Sequence, residues 1–465
     1  MIRRVFQALP DGMFRRDLID GRLSPADIND ALVELNLRRG EYRKLGDYYI
    51  GENPEIRNRK TASTEGAPDN RIASPYARKL INTVSGYMYR PGYIQYGVDD
   101  NTQDEYKERL NRVFAVNSES SKTARAGKLS SIFGAAYEVH YTRNTGTPEP
   151  RFTLLASEDF LPVYSNDVEP ELVAGIHRYY DDVTGRTVGI EHIDIYYADV
   201  VQSYGSEGSI KAETMRLEGE VPHGYGMVPV VVYKNNDEWM GDYEHVLKLI
   251  DAYDVLMSDS MNEFDRFAWA YLVLKELNMD AESLKDVKMK RVFEVMKEGS
   301  VEFLTKDIQT QFIQFMRDWL KEEIHKQTHI PDMTDVHFAG NQSGVAIRYK
   351  LSDLENIAAV KEIGFREGLQ RRIALLNSFW MTQGIQVVPP EDISITMNRN
   401  IPANYKEQAE IMAMLRGHVS HRTLLDEVIT FVNDAGHELD EIAKETEAMP
   451  AFDFAVEESA EDVNA

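Results

Sequence analysis

The 465-residue sequence has no cysteine. That absence excludes disulfides, thiolate metal sites and thiol nucleophiles, and it suits assembly in a reducing compartment. Long apolar runs are missing too, since no stretch approaches the ~18 uninterrupted apolar residues of a membrane span. The first residues, MIRRVFQALPDGMFRRDLID, are interrupted by Pro10, Asp11 and Gly12 before an apolar signal core develops. The expectation is a chain that stays in the cytoplasm where it is made, with no membrane partner. Positive charge is scarce as well: 52 Lys and Arg stand against 77 Asp and Glu, a net charge of −25. A chain of that sign repels a polyanion on average, which disfavours a sequence-reading DNA binder with its marked basic patch. Repulsion has its own use, because a protein that lets DNA slide past needs an acidic surface, whereas one that grips DNA needs cations.

What is present is a folded, multi-part protein. The hydrophobic content of 43% is ample for real cores, and the length suggests roughly three domains of ~150 residues each. Residues 1–150 read as mainly helical. In SPYARKLINTVSGYMY, Ser74 is the expected N-cap and Pro75 the first helical residue, with Leu80, Ile81, Val84 and Met88 at helical spacing. RPGYIQY then breaks that helix and begins an extended stretch. From 151 to about 235 the period changes to two, with a hairpin signal at DDVTGR and a further strand in MVPVVVYKN.

Residues 242–268 contain no Gly or Pro and read as one amphipathic helix. On a wheel, Val246, Leu249, Ile250, Tyr253, Met257, Met261 and Phe264 gather on one side, with Glu244, Asp251, Asp254, Asp259 and Asp265 opposite. The acidic face is expected to look outward or into a lumen. A compact insert follows, in which the strand candidates RVFEVM and SVEFLT flank Lys297, Glu298 and Gly299. A second helix over 308–328 aligns Ile308, Phe312, Phe315, Trp319 and Leu320. From Gly344 to about Met381 the pattern is helical for roughly 38 residues, ~57 Å at 1.5 Å per residue, with Gly364 and Gly368 placed to permit a bend. Shorter helical patterns follow in ANYKEQAEIMAMLRG, SHRTLLDEVITFV and HELDEIAKETEAM, and DFAVEESAEDVNA reads as a disordered acidic tail.

Motifs for catalysis are weak. The loop GNQSG at 340–344 is not a phosphate cradle, because Val345 and Ala346 stand where a P-loop places its Lys and hydroxyl. His418 and His421 form an HxxH pair without the intervening Glu or the four-residue spacing of a zincin, so an ordinary surface role is expected. PDMTD, with Asp332 and Asp335, faintly echoes a metal-dependent nuclease, a pattern common by chance in so acidic a chain. His192 and Asp194 share one face of a strand, where exposed polar residues belong. Arg57, Arg59, Lys60 and Arg71 lie in a polar stretch, read as a solvated or subunit-bridging loop rather than a phosphate grip. No cofactor, metal site or catalytic residue is expected.

Four longer stretches carry a resemblance: NRIASPYARKLINTVSGYMYRPGYIQY, GAAYEVHYT, GMVPVVVYKNNDEWMGDYEHVLKLIDAYDVLMSDSMNEF and IPDMTDVHFAGNQSGVAIRYKLSDLENIAAVKEIGFREGLQRRI. In order and wording they are similar to the bacteriophage portal proteins of the SPP1 type, from about residue 50 to 450. The resemblance implies an α+β, mainly helical portal fold. Twelve subunits would ring one capsid vertex around a channel through which double-stranded DNA is packaged and later ejected, without sequence specificity. It implies as partners a terminase large subunit, which would hydrolyse the ATP, a head-completion or adaptor protein, and major capsid and scaffolding proteins. The chain would then reside in the virion after assembly in the host cytoplasm.

By the same resemblance, 1–241 is the wing, 242–268 the first stem helix, 269–307 the clip and 308–330 the second stem helix. Residues 331–343 are the tunnel loop, 344–401 the long bent helix and wing return, 402–450 the crown and 451–465 the acidic tail. The implied DNA-facing loop residues are Asp335, His337, Phe338, Gly340, Asn341, Gln342, Ser343 and Gly344, whose glycines and short polar side chains suit a loop that shifts as DNA passes. Glu244, Asp251, Asp254, Asp259 and Asp265 are the expected channel-lining residues of the stem, and Lys285, Lys288, Lys290, Arg291, Lys297 and Glu298 the expected clip contacts with terminase or adaptor. Twelve copies at −25 each carry about −300, so an acidic bore would give phosphates no cationic trap. Two other classes compete, a metal-dependent nuclease of the packaging machinery and a monomeric scaffold or adaptor.

Overall fold

A computed structural model describes residues 13–60, 68–98, 104–144, 148–181, 190–206, 215–268, 271–275, 300–304, 310–333, 349–400, 405–429, 432 and 435–448. The chain divides into two compact units, one built from 1–332 and 353–400, the other from 333–352 and 401–465.

The larger unit begins with a two-residue strand, β1 (Phe14–Arg15), and a long helix, α1 (Pro25–Ile50). Ser24 caps α1 by a capping box: its hydroxyl accepts from the Asp27 amide and the Asp27 carboxylate accepts from the Ser24 amide. Gly51 ends the helix at φ 88°, a left-handed conformation that glycine adopts without a Cβ penalty. Four more helices follow, α2 (Pro54–Arg57), α3 (Tyr76–Met88), then β2 (Ile94–Val98), α4 (Asp104–Asn117) and α5 (Glu119–Phe133). Leu80, Ile81, Val84 and Met88 are all fully buried, as their spacing predicts. The cap differs from expectation. Pro75 occupies the cap position with no side-chain hydrogen bond, and the Ser74 amide is instead committed to Asp254, a distant partner.

Eight strands then run β3 (Ala135–Asn144), β4 (Pro148–Leu155), β5 (Phe160–Tyr164), β6 (Leu172–Asp181), β7 (Ile190–Tyr196), β8 (Val200–Ser206), β9 (Arg216–Pro222) and β10 (Val230–Lys234). They form a six-stranded sheet, β1-β5-β6-β7-β8-β9, and a three-stranded sheet, β10-β3-β4. β6 and β7 pair antiparallel, as the hairpin signal between them predicts. The period of two has a plain consequence: Ala174, Ile176, Ile193 and Ile195 point to one face and bury Ala31, Leu32 and Leu35 of α1 in a shared core. His192 and Asp194 lie on the opposite face without contacting each other. His192 stacks on Tyr179 and pairs with Glu218, while Asp194 accepts from Ser203, so both have local structural partners.

Beyond the sheets come α6 (Leu247–Ala268), a small antiparallel pair β11 (Tyr271–Lys275) and β12 (Ser300–Leu304), and α7 (Thr310–Thr328). The expected strand SVEFLT exists as β12, but its partner is β11, where no strand was expected. RVFEVM lies outside the described residues. The long helix is α8 (Ser352–Thr382), 31 residues, followed by β13 (Ile393–Met397), which pairs antiparallel with β2. Gly364 and Gly368 meet a need other than bending. A Cβ on Gly368 would stand 2.5 Å from Tyr233 Cδ1, and one on Gly364 3.1 Å from the Lys234 carbonyl oxygen, so the glycines let β10 lie directly on the helix.

The smaller unit contains α9 (Tyr405–Leu415), α10 (His421–Glu427) and α11 (Ala435–Ala448), with Leu425, Ile429 and Ala435 at its core. Ser420 caps α10 by accepting from the Thr423 amide. His418 and His421 are exposed, which fits the surface role expected of them.

Candidate functional site at the paired helices

α6 and α7 pack on each other, and their apolar residues change environment along their length. At the base, Val246 and Ile250 are buried beside α6 and its lead-in, as are Leu320 and Ile324 on α7. Farther along, Met261 and Phe264 of α6 and Phe312, Phe315 and Trp319 of α7 are exposed; Phe315 is 63% accessible and Trp319 43%. Two paired helices thus carry large aromatic side chains that the other described residues leave exposed. Isolated exposed apolar residues need no explanation, whereas a cluster of exposed aromatics is the composition of an interaction surface.

The carboxylates on the acidic side of α6 have partners within the chain: Asp254 is fully buried, whereas Asp259 keeps about half of its side chain exposed. Residues 53–59 and 68–74 lie along this side and occupy its carboxylates. Asn53 Nδ2 donates to Asp251 at 3.2 Å and to Asp254 at 2.8 Å, and the Tyr48 hydroxyl donates to Asp251 at 2.5 Å. The Ser74 amide completes Asp254 at 2.9 Å, and the Ile72 amide donates to Ser258 Oγ. Arg59 grips Asp259 with both guanidinium nitrogens at 2.8 and 3.0 Å, and Asn70 donates to Asp265 at 2.6 Å. Glu244 closes the turn before α6 by accepting from the Gly241 amide. Asp254 has no exposed surface at all, and burial raises its pKa against the pull of its donors. A buried carboxylate with a full set of donors cannot line an aqueous bore. For this face the wheel pattern identified polarity correctly but not its partner, which is the chain itself.

Arg59, expected in a solvated or bridging stretch, is therefore an intramolecular ligand of Asp259. Arg71 donates to Asp69, and Arg57 lies 3.6 Å from Asp47. Lys60 is exposed. The implied loop residues Asp335, His337, Phe338, Gly340, Asn341, Gln342, Ser343 and Gly344, and the implied clip residues Lys285, Lys288, Lys290, Arg291, Lys297 and Glu298, lie outside the described residues.

The roots of the two helices are held by charged groups that periodicity does not reveal. Lys361 of α8 is buried with Asp242, just ahead of α6, and with Asn235 and Ser131. Arg372, one helical segment further on, has no exposed surface and makes a two-pronged pair with Glu138 at 3.0 and 2.7 Å. It also donates to Glu119 at 2.7 Å and Thr123 at 2.8 Å, and lies over the Phe152 ring. Burial alone would raise the Glu138 pKa, but Arg372 and the Nε2–H of His140 outweigh it and hold that carboxyl at about 2. These networks tie α8 to α5, to β3 and to Asp242, which leads into α6.

Among the described residues, no group of three His, Asp or Glu is placed to hold a metal ion, and no helix is long and apolar enough to cross a membrane. Asp332, the residue of the nuclease-like motif that is described, has Lys79 Nζ at 2.7 Å and Lys321 Nζ at 2.6 Å. Two ammonium groups neutralise it where a metal site would need an open carboxylate.

Comparison with known proteins agrees with this architecture. The family described as phage portal protein, SPP1 Gp6-like, matches residues 32–449. The portal protein of Clostridium phage phiCD119 is 23% identical over 412 residues, covering 83% of this chain and 89% of that one. The portal protein of Bacillus phage SPP1 is 24% identical over 312 residues, covering 63% of this chain and 61% of that one. A chain in the virion of a native gene transfer agent particle aligns with a TM-score of 0.47 at 12% identity, covering 82% of this chain and 91% of that chain. With nine-tenths of its length matched, this chain belongs to the phage portal protein family.

Proposed function

We propose that twelve copies of this chain close into a ring at one capsid vertex and form the channel through which double-stranded DNA enters the head and later leaves. The observation that carries the reading is the exposed aromatic row on the α6–α7 pair, Phe264, Phe312, Phe315 and Trp319, which a neighbouring copy in a ring would cover. Removing apolar surface from water is worth roughly 25 cal/mol per Å², and a closed ring repeats that gain at every subunit boundary. The family assignment supplies the rest of the proposal. α6 and α7 serve as the stem, 269–307 as the clip that meets the terminase large subunit and then a head-completion or adaptor protein, and 331–343 as the tunnel loop. The residues of 402–450 serve as the crown, and the first 241 residues as the wing that meets coat and scaffolding proteins.

The chain acts as a structural conduit, with ATP hydrolysed by its partner motor. Its net charge of −25 favours passage over capture, because counterion release rewards cations on a protein and this chain has few to spare. Of the acidic residues of α6, the fully buried Asp254 is not assigned a channel-lining role, and Asp259 stays half exposed. Supplying this chain to a phage that lacks its own portal gene tests the reading. DNA-filled heads are expected, and heads that remain empty despite normal expression of the chain contradict it.

A further inference from the structure

Asp332 is the last residue of the larger unit before the chain departs, and Asp353 is the first on its return. The five residues that end there are held more firmly than a helix end requires. Thr328, the final residue of α7, is buried, and its hydroxyl donates to the Ile324 carbonyl. His329 then takes φ 55°, a left-handed conformation that costs a residue with a Cβ about 1 kcal/mol or more and persists only where the surroundings enforce it. Ile330 is buried. His325 Nδ1 donates to the Ile330 carbonyl at 2.8 Å; since a carbonyl only accepts, the neutral ring leaves its Nε2 as a lone pair 4.0 Å from Asp332 Oδ2. Burial lowers the His325 pKa, consistent with that neutral form. Asp332 itself, nine-tenths buried, holds Lys79 of α3 with one oxygen and Lys321 of α7 with the other.

We propose that Asp332 is a positioning residue: clasped between Lys79 and Lys321, it anchors the end of the run 328–332 and with it the backbone of Met333. Only the purpose of that anchoring, to aim a loop into the channel, rests on the portal reading above. The clasp explains why a strained His329 is tolerated, since the turn it makes delivers Asp332 to two ammonium groups from different helices.

The absence of cysteine makes a direct test practical, because Met333→Cys introduces a single thiol for a nitroxide probe in the full chain. The parent should give a spectrum of a restrained probe. Asp332→Asn and Lys79→Met should each convert it toward that of a freely turning probe, and Asp332→Glu, which keeps the charge, should restore restraint. Particle mass and a retained cooperative unfolding transition serve as controls against a general loss of structure, since loss of the clasp lowers the melting temperature without abolishing the transition. Lys79→Met leaves Lys321 in place to satisfy the carboxylate, so it decides the matter should Asp332→Asn fail to fold. Unchanged probe motion in Lys79→Met and in any folded Asp332→Asn protein overturns the proposal. Loosened probes in a chain that never forms rings would uphold the clasp while contradicting the portal reading, which keeps the two failures apart.

Discussion

Lys361 Nζ lies 2.6 Å from one oxygen of Asp242 and 2.7 Å from the other, and both side chains are shut away from solvent. The ammonium also meets Asn235 Oδ1 at 2.5 Å and Ser131 Oγ at 2.8 Å, so one buried cation ties α8 and α5 to the strand end and to the residue that launches α6. Burial lowers its pKa, and Asp242 opposes that shift.

Removing one member of such a pair strands the other charge. Lys361→Met leaves Asp242 buried with Asn235 as its remaining donor, and a loss of about 3–5 kcal/mol is expected. Chemical denaturation of the two proteins measures it. Lys361→Met with Asp242→Leu should recover part of the loss, because no charge is then left unpaired; equal stability of parent and single variant would contradict the assignment.

The pair between Arg372 and Glu138 makes a pH prediction. Glu138 titrates at about 2 in the folded chain against an ordinary 4.5. A depressed carboxyl contributes stability that is complete above its unfolded pKa and is lost as pH falls from about 4.5 toward 2. His140 is depressed below its ordinary 6.5 by burial, so it adds a second loss as pH falls below that value. Melting temperature should therefore decline in two stages on acidification. In Glu138→Gln the starting stability should be lower and the stage below pH 4.5 shallower.

Gly368 separates two readings of a glycine within a helix. Helix propensity alone predicts that Gly368→Ala stabilises by about 1 kcal/mol. Contact with Tyr233 at 2.5 Å from the added Cβ predicts the reverse, a loss of about 1–3 kcal/mol from overpacking. The sign of the change in thermal unfolding decides between them.

Much of the fold was legible because it obeys local periods. The buried set Leu80, Ile81, Val84 and Met88 follows the helical repeat, and Ile193 and Ile195 follow the strand repeat. The residues strapped along the acidic side of α6 were not legible for a physical reason: on a wheel, a face that binds a polar strap and a face that meets water look alike. The strap residues Asn53 and Asn70 lie about 200 positions away from Asp254 and Asp265, and no local signal joins them. Arg372 and Glu138, 234 positions apart, were invisible for the same reason. The aromatics Phe312, Phe315 and Trp319 were visible as an apolar stripe, but only the structure shows that the other described residues leave them exposed.

Covering those aromatics is the core of the account, and particle mass reads it out directly. Native mass spectrometry of the purified chain should give a closed species of twelve copies, and placing charge in the row with Phe315→Glu and Trp319→Glu should shift the population to smaller species while the fold is retained. A parent protein found only as single chains under every condition, or a double variant that assembles as well as the parent, would contradict it.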